Sequence, residues 1–169
     1  MPGHVLPPPC YRGPLMLRFV IDTHVIDAML DDRTLFEAVQ QAIVDSRIEV
    51  HVTHVQIDEV MAIPDEKSEK RSELANLLAN SAAQRSPTYG FILGKSRLGE
   101  AMLSDDGFAA TYEAELSKHK SQGNDAVLIA TAWNLGGRFV TEDAGARKTA
   151  DRMGMQCCCT IADFRTALG

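Results

Sequence analysis

Cysteine is scarce and poorly spaced for cross-linking: of the four, Cys10 stands alone and Cys157, Cys158 and Cys159 are consecutive. No spaced disulfide framework or CxxC metal knuckle can be drawn, so reduced thiols are expected. The chain also lacks an apolar run of bilayer-crossing length, and its opening MPGHVLPPPCYRGPL has neither the basic start nor the apolar stretch of a secretory signal. On those absences it reads as cytosolic. Positive charge is in deficit, with 17 Lys and Arg against 23 Asp and Glu and a formal net charge of −6. That argues against holding nucleic acid through a bulk basic face. It does not argue against cutting nucleic acid, because cations bound by a carboxylate cluster invert the sign that a phosphate meets. Two phosphate-handling motifs are missing as well. There is no GxxxxGK[ST] loop, and the place of a DxD pair after the first strand reads Asp22, Thr23, His24.

The 169 residues suffice for one domain with a sizeable core, and residues 16–169 are expected to form it. Residues 1–15, with a proline triplet, are expected to be a flexible lead, and Met16 is an alternative start. LRFVI is a continuous apolar run too short for a helix, as in a buried parallel strand. Helical spacing follows in THVIDAMLDD and TLFEAVQQAIVDSR. IEVHV reads as the second strand, and Thr53 as the N-cap of a helix carrying Glu59 and stopped by Pro64. DEKSEKRSELANLLANSAAQR has the pattern of an amphipathic outer helix with Leu74, Leu77, Leu78 and Ala82 on one side. TYGFIL is expected to be a short edge strand, and FAATYEAELSKHK a helix. DAVLIATAWNLGG is a further helix capped by Asn124, RFVT a strand, DAGARKTADRMG a helix, MQCCCT a strand and IADFRTAL a terminal helix. In the MQCCCT strand Cys157 and Cys159 are expected to point together and Cys158 opposite. This alternation implies a three-layer α/β/α sandwich around a central, mostly parallel sheet of four to five strands.

Four acidic residues fall where strands hand over to helices: Asp22, Glu59, Asp125 and Asp143. Ligands of such sheets collect outside the carboxyl ends of the strands, near the switch in strand order. Four carboxylates at one edge raise one another's pKa unless a cation lies between them, and an all-oxygen donor set suits magnesium or manganese. Those ions hold phosphate groups and activate water, so the pattern points to phosphate-ester chemistry. Each acid has a plainer explanation. Asp22 and Asp143 suit helix N-caps, Asp125 a helix N-terminal charge and Glu59 a solvated helix face; Asp58 rivals Glu59. Asp27, Asp105 and Asp106 are read as surface or loop charge. Thr23 and Thr141 suit either the support of a carboxylate or helix capping. His24 is a candidate proton carrier or a simple polar neighbour. His51 and His54 are expected to straddle a strand end, and Trp133 to pack. Basic residues cluster at Lys67, Lys70 and Arg71, at Lys95 and Arg97, at Lys118 and Lys120, and at Arg147, Lys148 and Arg152, as solvated faces or phosphate contacts.

FVIDTHVI, DAVLIATA and FVTED resemble the PIN-domain nucleases, a family that includes the toxin ribonucleases of bacterial VapBC toxin–antitoxin pairs. The family's opening strand ends in an aspartate followed by Ser or Thr, as at Asp22 and Thr23. Its later aspartate heads a small-residue helix, as Asp125 does, and its Thr-x-Asp after a strand is matched by Thr141 and Asp143. The second acidic position falls on Glu59. The resemblance spans nearly all of the chain after Met16. It implies that Asp22, Glu59, Asp125 and Asp143 bind Mg2+ or Mn2+ and cleave RNA, with an antitoxin protein and a homodimer as possible partners. His24 departs from the Asn common in toxin members, and the span from Glu59 to Asp125 exceeds theirs. An RNA-processing PIN nuclease and a catalytically silent PIN-like RNA- or protein-binding module therefore stay open.

Overall fold

The computed structural model describes residues 16–90, 97–102 and 123–169. The expected lead at residues 1–15, the end of TYGFIL and the FAATYEAELSKHK helix lie outside them. So do Cys10, Lys95, Asp105, Asp106, Lys118 and Lys120. The chain opens with β1 (Leu17–Ile21), α1 (Thr23–Asp31), α2 (Arg33–Val44), β2 (Ile48–Val52), α3 (His54–Met61) and, after a 3-10 turn, α4 (Ser68–Asn80). Three two-residue strands follow: β3 (Gln84–Arg85), β4 (Thr88–Tyr89) and β5 (Ala101–Met102). The described chain closes with α5 (Gly123–Asn134), β6 (Arg138–Val140), α6 (Ala144–Arg152), β7 (Cys158–Cys159) and α7 (Ile161–Leu168).

Five strands form one parallel sheet in the order β3-β2-β1-β6-β7. The α/β class and the parallel five-stranded sheet flanked by helices match the expectation from the apolar runs. Side chains alternate across the sheet: Phe19 and Ile21 join the core with α1, α2, α4 and α7, while Val20 joins the core with α5 and α6. In the first core, Phe164 of α7 meets Phe19 edge to face at 4.8 Å. α3 serves both cores, giving Val60 to the first and Val55 to the second. No helix among the described residues is long and apolar enough to cross a membrane.

Three local readings are corrected. The last residues of the segment read as one amphipathic helix leave it, and Gln84 and Arg85 pair with β2 as the edge strand β3. Tyr89 does not extend the main sheet, because β4 pairs with β5 in a separate two-stranded sheet. Cys157 and Cys159 do not share a face: Cys157 is buried in the α5/α6 core beside Cys158, and Cys159 in the opposite one. The cause is a tight turn before the strand, in which the Cys157 amide donates to the Met155 carbonyl at 2.8 Å, so strand alternation starts only at Cys158. All three described cysteines are unpaired thiols.

From β1 the chain runs outward to β2 and β3, then returns to the other flank of β1 with β6 and β7. Strand order therefore reverses between β1 and β6, whose register pairs Ile21 with Val140. The residues just past these two, Asp22 and Thr141, flank the crevice at the reversal.

Candidate active site

Asp22 follows β1 directly, and its amide donates to the Val140 carbonyl at 3.0 Å. It occupies the N-cap position of α1 but makes no side-chain cap hydrogen bond. The buried carboxylate instead accepts from the Thr141 hydroxyl at 2.8 Å, with His24 Nδ1 at 3.5 Å. A helix cap therefore does not account for Asp22. Thr141, fully buried, also receives the Asp143 amide at 3.1 Å, so one hydroxyl fixes both aspartates across the crevice. Asp143 does cap its helix, accepting from the Gly145 amide at 2.6 Å. That bond occupies one oxygen, Oδ1.

Glu59 is not a solvated helix residue. It is half-buried and accepts a short hydrogen bond from the Thr23 hydroxyl and another from Asn124 Nδ2 at 2.7 Å. Its helix is aimed by a capping box in which Thr53 and Gln56 bond reciprocally, and Gln56 Nε2 reaches the Ile21 carbonyl at 2.7 Å. The end of β1 and the start of α3 are thereby tied together. Asp58, the rival for this position, pairs with Arg97. Asp27, read as surface charge, is half-buried and pairs with Lys70 at 3.0 Å.

Asp125 sits in the first turn of α5, beside Asn124. Burial, then the carboxylates of Asp22, Asp143 and Glu59, push its carboxyl up to about 6, against a smaller opposing effect of His24. Asp125 thus feels the charge of each of the other three acids. Among the described residues no three His, Cys, Asp or Glu side chains already stand at metal-ligating spacing. The donor chemistry suits a hard divalent cation: oxygen atoms only, several anionic, with Asp22 and Glu59 oriented by hydroxyl and amide donors.

His51 lies in β2 and His54 opens α3, straddling the strand end as expected. Trp133 packs against the α5/α6 core. Arg147, one turn into α6, donates to the Thr141 carbonyl at 3.3 Å and brings a cation to the rim. Asn124 was expected only as a helix cap. Its bond to Glu59 spans 65 positions, and no local sequence signal marks such a contact.

A family profile described as PIN domain matches residues 19–152. No curated protein matches the sequence at a significant level. Among solved structures, the chain is similar to PAE2754 from Pyrobaculum aerophilum, with a TM-score of 0.52 and 10% identity over 91% of this chain and 98% of that one. VapBC2 from Rickettsia felis, bound to a DNA fragment from its promoter, gives 0.49 and 9% over 85% and 98%. FitAcB from Neisseria gonorrhoeae gives 0.39 and 24% over 79% and 93%. The first of these shares the fold. The profile spans most of the sequence and includes all four carboxylates, and on that match the chain belongs to the PIN domain family.

Proposed function

We propose that this protein is a metal-dependent endoribonuclease hydrolysing RNA phosphodiester bonds, with Asp22, Glu59, Asp125 and Asp143 as its catalytic, metal-holding carboxylates. The observation that carries the reading is the Asp125 carboxyl, raised to about 6 by burial and by the other three acids. Such an edge is electrostatically costly by itself and is relieved by doubly positive charge. A bound Mg2+ or Mn2+ would supply charge stabilisation at the scissile phosphate and a lowered pKa for the attacking water.

The chain's own groups then have separate tasks. Thr141 orients Asp22 and, through the Asp143 amide, the loop that carries Asp143. Thr23 and Asn124 hold the two Glu59 oxygens, so this carboxylate is fixed from two sides before substrate arrives. Arg147 offers positive charge beside the crevice, where a strand of negative net charge has to approach an acidic protein. The choice of RNA follows from family membership, in keeping with a net charge of −6 that gives no electrostatic basis for bulk duplex binding. A cytoplasmic toxin paired with an antitoxin is the biological setting in keeping with the VapBC resemblance, with a homodimer as its assembly.

The test is RNA cleavage in Mn2+ by the wild type and by Asp22→Asn, purified identically. Cleavage lost by at least a hundredfold in the variant supports the reading. Equal rates in the two preparations overturn it and identify a contaminating nuclease.

A further inference from the structure

Two strands along the same sheet edge from the β1/β6 crevice lies a cavity of about 250 Å3, between the start of α3, the β3–β4 connection and Glu100. Its wall contains a buried polar group without a hydrogen bond. The His54 side chain is 1% exposed, with Glu100 Oε2 3.7 Å from its Nδ1. Among the described residues neither of its ring nitrogens has a hydrogen-bond partner. Polar atoms buried without a partner are costly, and a ligand that pairs them recovers that cost.

The polar groups around His54 have defined hydrogen-bonding roles. Burial holds the His51 imidazole below its ordinary pKa, so it is neutral near pH 7. Its Nε2–H donates to Glu49 at 3.3 Å, which leaves Nδ1 as an acceptor for the Ser86 hydroxyl at 2.7 Å. Ser86 therefore has its proton committed to His51 and offers the cavity acceptor lone pairs only. Glu100 is another acceptor. Arg85 lines the same cavity, has no ion-pair partner among the described residues, and supplies donors in a planar fork. One wall thus donates and another accepts, with an imidazole able to do both between them.

We propose that this cavity is a subsite for an unpaired guanine of the RNA strand, read by Arg85, His54, Ser86 and Glu100; the inference rests on the ribonuclease reading. Guanine matches the pattern because one of its edges carries two acceptors, N7 and O6, suited to an arginine fork, while the adjoining edge carries N–H donors suited to Glu100 and Ser86. Adenine replaces O6 by an amino donor and turns it toward Arg85. Pyrimidines have no N7 beside the carbonyl. Parallel strands lie roughly 4.8 Å apart, so the cavity stands roughly 10 Å from β1, a distance that nucleotides flanking a scissile phosphate span. α3 links the two places, with Glu59 facing the carboxylates while His54 and Asp58, one turn apart, face Glu100 and Arg97.

The experiment measures binding of fluorescent RNA tetramers UUGU and UUAU to the full chain in metal-free buffer, for the wild type, Arg85→Met and Glu100→Gln. Both substituted side chains are exposed, so neither change threatens folding. The wild type is expected to prefer the guanine tetramer by about tenfold, and each variant to lose that preference. No preference in the wild type, or one that survives both substitutions, overturns the subsite. Cleavage of the same RNAs in Mn2+ separates the two claims. A guanine preference in binding without cleavage supports the subsite and defeats the nuclease reading, whereas cleavage with no guanine preference defeats the subsite alone.

Discussion

Asp125 carries an electrostatic cost in the folded chain. Its carboxyl ionises near pH 6 in the folded chain against an ordinary value of 3.8, so the native state binds the proton more tightly than the unfolded state does. Stability from this group is therefore highest at low pH and falls as pH rises between about 4 and about 6. Replacing Asp125 by Asn removes the penalty. In metal-free buffer at pH 7 the variant is expected to gain about 1 kcal/mol after allowance for solvent screening, or about 2–4 °C in melting temperature, and to gain nothing at pH 3.5. A thermal-melt series across pH reads this directly, and a gain independent of pH would assign it to packing. Thr141 makes a different kind of contribution, by position. Thr141→Val is expected to cost about 1 kcal/mol of stability through the lost hydrogen bonds and to weaken Mn2+ affinity by about 10- to 100-fold, while Thr141→Ser restores both. The three aspartates were visible in the sequence because each stands at the boundary of an apolar run. Their support was not, since Thr141 and Asp22 are 119 positions apart and only the fold brings that hydroxyl to that carboxylate.

The elements that position the carboxylates differ in how openly the sequence declares them. LRFVI, IEVHV and RFV are apolar because both faces of a central parallel strand are covered, and they form β1, β2 and β6 where the runs are written. β3 has only Gln84 and Arg85, both exposed at the sheet edge, so no apolar signal marks it. Thr53 and Gln56 are spaced for a capping box, and the box forms. The further reach of Gln56 to the Ile21 carbonyl, which fastens α3 to the end of β1, is a tertiary contact without a local pattern. The turn between α5 and β6 is a second fastening point. A Cβ on Gly137 would lie 2.6 Å from the Arg18 carbonyl oxygen, which is backbone of β1 and cannot swing aside. Gly137→Ala is expected to force β6 away from β1, destabilising the fold by about 1–3 kcal/mol in a urea titration and widening the crevice that Asp22 and Thr141 flank. A neutral result would mean that the two strands have slack the site does not need.

Taken together, the molecule brings Asp22 and Asp143 to the place where strand order reverses, on a chain carrying a net charge of −6. Two cores of ordinary apolar packing hold the sheet, and at its carboxyl edge Thr141, Thr23, Asn124 and Gln56 tie β1, α1, α3, α5 and β6 to one another. That distribution explains why the fold class could be read from hydrophobic patterning while the assembly of the site depends on contacts between distant segments. If the four carboxylates form one cation site, Mn2+ titration of the metal-free protein at pH 7, followed by electron paramagnetic resonance, reads it most directly. The wild type is expected to bind one or two Mn2+ ions, and Asp22→Asn and Asp143→Asn each to lose affinity by at least tenfold. Unchanged Mn2+ affinity in both variants would contradict the account.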